Sequence, residues 1–333
     1  QVYTRDPDTG IRHAALTPLV VRGHAQLAVH WTAHDPAWQH FTGWRRQRQQ
    51  MPLAVALGGD PVLALAACCP LPANTDPLLF AGFLRDRPVE VVKCRSLELE
   101  VPAGAEIVLE GLIDTTQPLE RSGPIALSTG FYSQPEDVPL MQVTALTHRS
   151  NPVFPVSVPG PPPGERTWID RAVERLFLPL VKLAVPEVVD LHRPAAGGGR
   201  NLAYVSIRKQ YPGQARKVLH ALWGLGWLMT TKLVVVVDAG VNVHDSDEVW
   251  FHVGANAHPG RDAVFAEGPA DMDDHAAPVR GLGHMLGLDA TRKLPEEGHP
   301  RAWPEPLACT EEVGRLVTRR WGEYGLEEMT NDQ

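Results

Sequence analysis

A proline-rich segment divides the chain into two parts with different sequence patterns. Residues 151–167 read NPVFPVSVPGPPPGERT, and prolines at this density can neither continue a helix nor occupy the middle of a sheet. Short apolar runs broken by turn residues precede the segment, and long helical patterns alternating with apolar strands follow it. We therefore predict two domains, residues 1–151 and residues 152–333, which also suits a chain of 333 residues.

The first part has the pattern of a strand-rich α+β domain. Residues 15–23 and 25–33 are apolar runs joined by a Gly-His turn, which predicts a hairpin. Residues 51–59 predict a short buried strand, and Asp60-Pro61 after it is typical of the start of a helix. Alternating runs continue in residues 89–149. The pattern predicts a barrel or sandwich of strands.

The second part has the pattern of an α/β domain. Residues 201–209 and 232–238 are apolar runs, and a helical pattern lies between them. A strand–helix–strand order of this kind predicts a parallel pair in one sheet. A further helix is expected after Asp245, and an amphipathic helix near the end of the chain is expected to begin at a Thr310 cap.

Charge and composition indicate which kinds of partner and which cellular location to expect. The net charge is −8 at neutral pH, and phosphate backbones are bound by basic surfaces, so we expect no nucleic-acid partner. No apolar run approaches the roughly 20 residues of a membrane helix, the first residues lack a signal-peptide pattern, and four cysteines do not form a disulfide framework. We therefore expect a cytoplasmic protein without a membrane partner.

Several residue patterns could carry chemistry, and each has a plainer interpretation. The spacing of His30, His34 and His40 allows a metal site only weakly, because no H-E-x-x-H arrangement is present. The glycine-rich residues 280–289 could cradle a phosphate, although a tight chain reversal is the favoured interpretation. Asp238 ends an apolar strand and could either line a ligand or cap the next turn. Patterns alone thus predict a two-domain α/β protein.

Five long collinear strings carry a family resemblance. They resemble the UbiD family of decarboxylases, and they are residues 51–72, 80–113, 186–223, 231–242 and 278–293. The resemblance implies a flavin-reductase-like split β-barrel, the UbiD middle domain, followed by an α/β C-terminal domain that forms oligomers. By this resemblance the family's N-terminal α/β domain is missing from the sequence, which begins partway into the middle domain. Family enzymes use prenylated FMN with manganese and potassium ions to decarboxylate aromatic or α,β-unsaturated acids.

The resemblance also places the family's catalytic positions on this sequence. The family's acids lie in a segment of the form E-G-P-x-G-[DE], which matches residues 122–127 when Gly123-Pro124 is aligned. The first acid then falls on Ser122, and the second, the proton donor, falls on Leu127. The family's catalytic arginine falls on Pro18. None of these three side chains can replace a carboxylic acid or a guanidinium.

The positions that hold the family's cofactor are also substituted. The metal-ligating asparagine falls on His13, and the metal-ligating glutamate falls on Pro77. An arginine before glycine falls on Asp35, and the lysine that neutralises phosphate falls on Met285, next to His284. The resemblance therefore implies that the metal clamp and the phosphate-binding charges are lost.

These substitutions lead to two hypotheses for a protein that retains the family scaffold without its chemistry. In the first hypothesis, the protein is a non-catalytic partner, either in a homo-oligomer or in a hetero-oligomer with a UbiD-type subunit, assembled through the C-terminal domain. In the second, it has a repurposed site for a small aromatic or unsaturated acid. We expect no cofactor in either case. The pocket candidates are His13, His30, Ser122, Leu127 and His284. The alternative is an active (de)carboxylase that uses prenylated FMN.

Overall fold

A computed structural model describes most of the chain. It covers residues 1–72, 75–198, 200–272, 274–305, 307 and 309–325. Residues 1–291 form one compact unit, and residues 292–333 belong to a second, smaller unit. The division predicted near residue 152 falls inside the first unit and stays a prediction.

The first half of the large unit consists mainly of strands with three helices. Its elements in chain order are β1 (Val2–Arg5), β2 (Arg12–Ala15), β3 (Leu19–Val21), β4 (Gln26–Val29), α1 (Pro36–Arg46), β5 (Met51–Leu57), α2 (Pro61–Cys68), α3 (Pro77–Arg85), β6 (Val91–Lys93), β7 (Glu100–Pro102), β8 (Ile107–Ile113), β9 (Glu120–Ser122), β10 (Glu136–Val138) and β11 (Leu140–His148).

Seven of these strands form one antiparallel sheet that curls as a half-barrel, which confirms the predicted split β-barrel. The strand order is β2-β1-β5-β8-β11-β4-β3. The predicted hairpin is the β3–β4 pair, in which Leu19 lies opposite Val29. Strands β9 and β10 form a separate two-stranded sheet, and β6 pairs with β7 in another.

Local signals explain how the helices of this half begin. Asp60 caps α2 by accepting a hydrogen bond from the backbone N of Val62 at 3.0 Å, and Asp76 caps α3 in the same way. A proline stands at the first helical position of each, where a missing N–H removes no intrahelical bond. The helix predicted at Asp60-Pro61 is therefore confirmed.

The second half of the large unit is an α/β arrangement with a mixed sheet. Its elements are α4 (Glu165–Ala184), β12 (Val188–His192), β13 (Leu202–Ile207), α5 (Gln214–Trp223), β14 (Leu233–Asp238), α6 (Ser246–Asn256), α7 (Pro259–Asp262), β15 (Ala263–Pro269) and β16 (Leu282–Asp289). The order of the sheet is β12-β13-β14-β16-β15. The predicted βαβ unit is β13–α5–β14, with parallel strands, whereas β12 and β15 run antiparallel at the two edges.

The glycine-rich stretch 280–289 begins with the predicted chain reversal, in which Gly281 has a φ of +76° and Leu282 N donates to Val279 O, and it then continues as strand β16. Small residues are needed there for packing. A side chain at Gly287 would overlap the Leu219 side chain of α5, with Cβ only 2.5 Å from Leu219 Cδ1. Gly287 therefore allows close approach of a helix to the sheet.

Buried apolar clusters lie on both sheets. Trp31, Phe41, Met51 and Met141 belong to a cluster on the large antiparallel sheet. Leu219, Val236 and further buried side chains from α4, α5 and the central strands form the main cluster of the second half. Asp245 caps α6 as predicted, by accepting hydrogen bonds from two backbone N–H groups.

The small unit contains α8 (Glu311–Arg319) among its described residues. The predicted cap is confirmed, because Thr310 Oγ1 accepts a hydrogen bond from the N of Val313 at 3.3 Å. The helix predicted for residues 310–326 is shorter than expected, because α8 ends at Arg319 and residues Trp321–Tyr324 form a 3-10 turn, and residue 326 lies outside the described residues. No helix in the described part of the chain has the length and apolarity needed to cross a membrane.

Candidate functional site

Three segments that are distant in sequence meet at the end of strand β4. His30 follows the last residue of β4, and its backbone N donates a hydrogen bond to the carbonyl O of Pro18 at 3.1 Å. Ser122 ends β9 and Glu136 begins β10, and the two residues are direct partners across this antiparallel pair. The sheet register therefore presents a hydroxyl and a carboxyl side by side.

The imidazole of His30 joins these two side chains into one hydrogen-bonded chain. His30 Nδ1 lies 2.7 Å from Glu136 Oε1, and His30 Nε2 lies 3.1 Å from Ser122 Oγ. His30 is 5% exposed and Ser122 is 2% exposed. Because buried polar groups need partners, this chain accounts for both nitrogens of a buried imidazole.

The carboxylate fixes the tautomer of His30. Burial alone would raise the pKa of Glu136, but hydrogen bonds and charge from His30 and Arg280 outweigh it and hold that pKa below its usual range. Glu136 is therefore ionised at neutral pH and can only accept, so Nδ1 of His30 carries a hydrogen. In the neutral ring Nε2 is then the acceptor, and Ser122 donates its hydroxyl hydrogen to it.

Arg280 closes the network from the second half of the unit. Its Nη2 forms an ion pair with Glu136 Oε2. The Arg280 side chain is 46% exposed, whereas that of Glu136 is 11% exposed. A guanidinium has five N–H donors, so Arg280 can also offer donors to a bound anion.

Leu127 lies in the connection between β9 and β10. Its backbone N donates to the carbonyl O of Phe131 at 2.9 Å, and Ser133 N donates to Ile125 O at 2.8 Å. These bonds form a short hairpin. The Leu127 side chain is 8% exposed, so a hydrocarbon group is buried where the family resemblance implied a proton donor.

Two further predicted pocket residues do not join the His30 network. The ring of His13 in β2 lies edge-on to that of His40, with 6.1 Å between centroids. Burial, with a smaller effect from His40, lowers the pKa of His13 to about 4. His284 is exposed on β16 and lies opposite Glu267 in register. Of these five residues, His30 and Ser122 are in contact, and that the five line one pocket stays a prediction.

Comparison with known proteins identifies the family. Residues 1–162 match the family described as 3-octaprenyl-4-hydroxybenzoate carboxy-lyase Rift-related domain (UbiD), and residues 167–290 match the corresponding C-terminal domain. The chain belongs to the UbiD family. Among its relatives is an uncharacterized protein of Aquifex aeolicus, 43% identical over 327 residues. Another, from Archaeoglobus fulgidus, is 41% identical over 324 residues.

The two relatives are longer than this sequence. The alignments cover 98% and 97% of this chain but 67% of each relative. The family-level prediction from the five sequence strings is confirmed.

Solved structures of UbiD-class enzymes have the same fold. The enzyme HmfF of Pelotomaculum thermopropionicum, in complex with FMN, superposes with a TM-score of 0.80 at 30% identity, over 97% of this chain and 70% of that one. Vanillic acid decarboxylase of Sedimentibacter hydroxybenzoicus, in its closed form, superposes with a TM-score of 0.87 at 26% identity, over 96% of this chain and 69% of that one.

The residues at the family's cofactor positions do not fit prenylated FMN and its metal. Pro77 begins α3 and has no side-chain ligand atom, and Met285 is an apolar residue buried in β16. Asp35 is an acid whose pKa burial raises, where the family has a cation. His13 Nε2 is buried without a partner, but a single imidazole does not hold a divalent ion in place.

Glu136 and Arg280 are the site residues that sequence reasoning missed. Arg280 was noted only as part of the glycine-rich stretch, and Glu136 was not noted at all. The pairing of β10 with β9 is the signal that reveals Glu136, because it places this residue opposite Ser122.

Proposed function

We propose that this UbiD-family protein has a repurposed, cofactor-free site at which His30 performs acid–base chemistry on a small aromatic or unsaturated acid. The observation that carries the proposal is the hydrogen-bonded chain from Glu136 through His30 to Ser122. A base oriented by a carboxylate and in contact with a hydroxyl is the arrangement that activates a serine or shuttles a proton.

The protonation states support this role. Glu136 holds the Nδ1–H tautomer, so in the neutral ring Nε2 of His30 accepts from Ser122 Oγ, which lies 3.1 Å away, and can take its proton. When the ring becomes positively charged, the adjacent carboxylate stabilises that charge.

The surroundings of the network suit an anionic ligand. Arg280 is half-exposed and supplies positive charge beside Glu136. Two residues in the segments that contain His30 and Ser122 have a buried polar atom without a hydrogen-bond partner. They are Trp31, directly after His30, through its Nε1, and Thr129, in the hairpin after Ser122, through its Oγ1. Unpaired buried groups of this kind are commonly satisfied by a ligand or water. Ser122 is buried, so a ligand reaches it only when neighbouring segments move.

The first experiment separates this proposal from the cofactor-dependent alternative. The full chain is produced together with a flavin prenyltransferase, and its visible spectrum and metal content are recorded. We expect no bound flavin and no manganese, because the residues at the metal and phosphate positions lack the ligands. Stoichiometric flavin with manganese would support the active decarboxylase instead.

The second experiment measures acid binding directly. Calorimetry with benzoate and cinnamate is expected to detect binding that Arg280→Gln weakens and that His284→Gln leaves unchanged. His284 is a suitable control because it is exposed on β16 and lies opposite Glu267 in the sheet register. Equal binding by the Arg280 variant and the wild type would contradict the proposed site.

A partner role is the second candidate, and an exposed apolar face of α4 favours it. Its side chains are Trp168, Leu176, Leu180 and Leu183, which recur at helical spacing and are 61%, 38%, 52% and 79% exposed. We propose that this face binds a second copy or a UbiD-type subunit. Light scattering of Leu180→Glu should show a smaller assembly than the wild type, whereas an unchanged mass would exclude this face as the contact.

A further inference from the structure

A second cluster of ligand-type side chains lies away from the His30 network, at the edge strand β12. It consists of Glu174 from α4, His192 from the end of β12, and His244 from the segment between β14 and α6. One ligand atom from each lies within 4.8 Å of the other two. In the described part of the chain, no other group of three His, Cys, Asp or Glu side chains meets this condition.

One contact within the cluster has the spacing of neighbouring ligands around a tetrahedral metal ion. Glu174 Oε1 lies 3.2 Å from His192 Nδ1, and His244 Nε2 lies 3.0 Å from Oδ2 of Asp190, a carboxylate beside the cluster. Zinc bonds to nitrogen and oxygen of about 2.0–2.1 Å place neighbouring tetrahedral ligands about 3.3 Å apart. The rings of His192 and His244 are also close, with 4.6 Å between centroids.

Outer contacts already orient the two carboxylates. Glu174 Oε2 accepts a hydrogen bond from the backbone N of Arg193 at 2.7 Å, and Asp190 Oδ1 accepts one from the N of Leu191 at 2.8 Å. Such second contacts hold ligands in place in known metal sites. Glu174 is 1% exposed and His192 is 3% exposed, whereas the His244 side chain is 43% exposed, which leaves a path for an ion.

A cation already lies against these carboxylates. Arg175 Nη2 is 2.8 Å from Glu174 Oε1, and its Nη1 is 2.7 Å from Asp190 Oδ1. The Arg175 side chain is 41% exposed and also donates to the carbonyl O of Leu191, so it can turn into solvent when a metal ion neutralises the buried Glu174 carboxylate in its place. The guanidinium thus supplies the positive charge at this position, and a bound metal ion could supply it instead.

We propose that Glu174, His192 and His244 bind one Zn²⁺ ion as three protein ligands, which leaves the fourth tetrahedral position to water. Two imidazoles with a carboxylate suit zinc, whereas magnesium and calcium prefer sites made of oxygen alone. Binding displaces Arg175, and a neutral imidazole that ligates the ion carries its hydrogen on the other ring nitrogen. The ion links three parts of the fold: the segment before α6, strand β12 and helix α4. Without the ion, side-chain hydrogen bonds join these parts.

The test is zinc titration of the full chain after treatment with a chelator. Calorimetry should show one zinc per chain at micromolar concentration, together with a higher thermal midpoint. His244→Ala should weaken binding by about tenfold or more, as loss of a metal-site contact does. His284→Ala is the matched control, since it removes another exposed histidine outside the cluster, and it should leave binding unchanged.

The direction in which a second variant changes the zinc affinity tests the role of Arg175. Arg175→Gln removes the competing cation and should tighten zinc binding by several-fold, while circular dichroism confirms that the fold is kept. Absence of stoichiometric binding to the wild type would overturn the proposal, as would equal binding by His244→Ala. Weaker binding by Arg175→Gln would also overturn it, because the arginine would then support the site instead of occupying it.

Discussion

Replacing Glu136 by glutamine should destabilise the protein measurably without changing the size of the side chain. The carboxylate accepts from His30 Nδ1 on one oxygen and from Arg280 on the other. Glutamine has one oxygen and one NH₂ group, so only one of these two donors keeps an acceptor. Because His30 is buried and Arg280 is half-exposed, we expect the amide oxygen to face His30.

The magnitude follows from the two contacts. A hydrogen bond to a charged group contributes about 1.5–3 kcal/mol and a neutral one about 1 kcal/mol, so the His30 contact weakens by roughly 1 kcal/mol. The Arg280 contact is 46% exposed on the arginine side and is screened, so its loss adds at most about 1 kcal/mol. We therefore expect the free energy of unfolding to fall by about 1–2 kcal/mol.

The assay is urea denaturation followed by circular dichroism at neutral and acidic pH. The folded protein holds the pKa of Glu136 below its usual range, so its contribution is present above the unfolded value of about 4.3 and is lost as pH falls further. The difference between wild type and variant should therefore shrink at pH 3. Glu120→Gln is the matched control, because Glu120 is exposed on the same two-stranded sheet.

Three results would refute this reasoning. The first is a loss at neutral pH no larger than that of Glu120→Gln. The second is a difference that stays the same at low pH. The third is strict additivity with Arg280→Gln, because residues that share a carboxylate are expected to couple.

Other predictions concern protonation and packing. Because burial lowers the pKa of His13 to about 4, wild-type stability should fall as pH drops from about 6.5 to about 4, and His13→Asn should lessen that fall in urea titrations. Gly111→Ala should lower the unfolding free energy by roughly 1–3 kcal/mol, because a Cβ would overlap the carbonyl oxygen of Gln142, whereas Gly254→Ala, in open space on α6, should not destabilise the fold. Leu219→Ala removes a fully buried side chain and should cost about 2–5 kcal/mol in the same assay; a loss below 1 kcal/mol would show that the site collapses around the cavity.

Much of the fold was predictable because its signals are local. Asp60-Pro61 begins a helix through its own cap, and the apolar run of β14 is a buried central strand. Strand β16 was not predictable in this way. Its glycines resemble a loop in sequence, but Gly287 is explained by the approach of Leu219 from α5 and Gly283 by the close approach of Ala270. Packing across the sheet therefore decided the conformation there.

The candidate site was predictable only in part, for a related reason. The resemblance placed His30 and Ser122 near one pocket, and the two side chains do meet. Glu136 was missed because nothing in its neighbourhood in sequence connects it with Ser122, whereas strand pairing sets it directly opposite. The cluster of Glu174 with His192 and His244 was missed likewise, since three separate elements contribute to it.

The separation of the His30 network along the chain has a kinetic consequence. His30 lies 92 residues from Ser122 and 106 residues from Glu136. Contacts between such remote positions close long loops, whose entropic cost must be met before the contacts form. The network should therefore assemble among the last steps of folding, and a spectroscopic probe placed beside His30 would report when the native topology is complete.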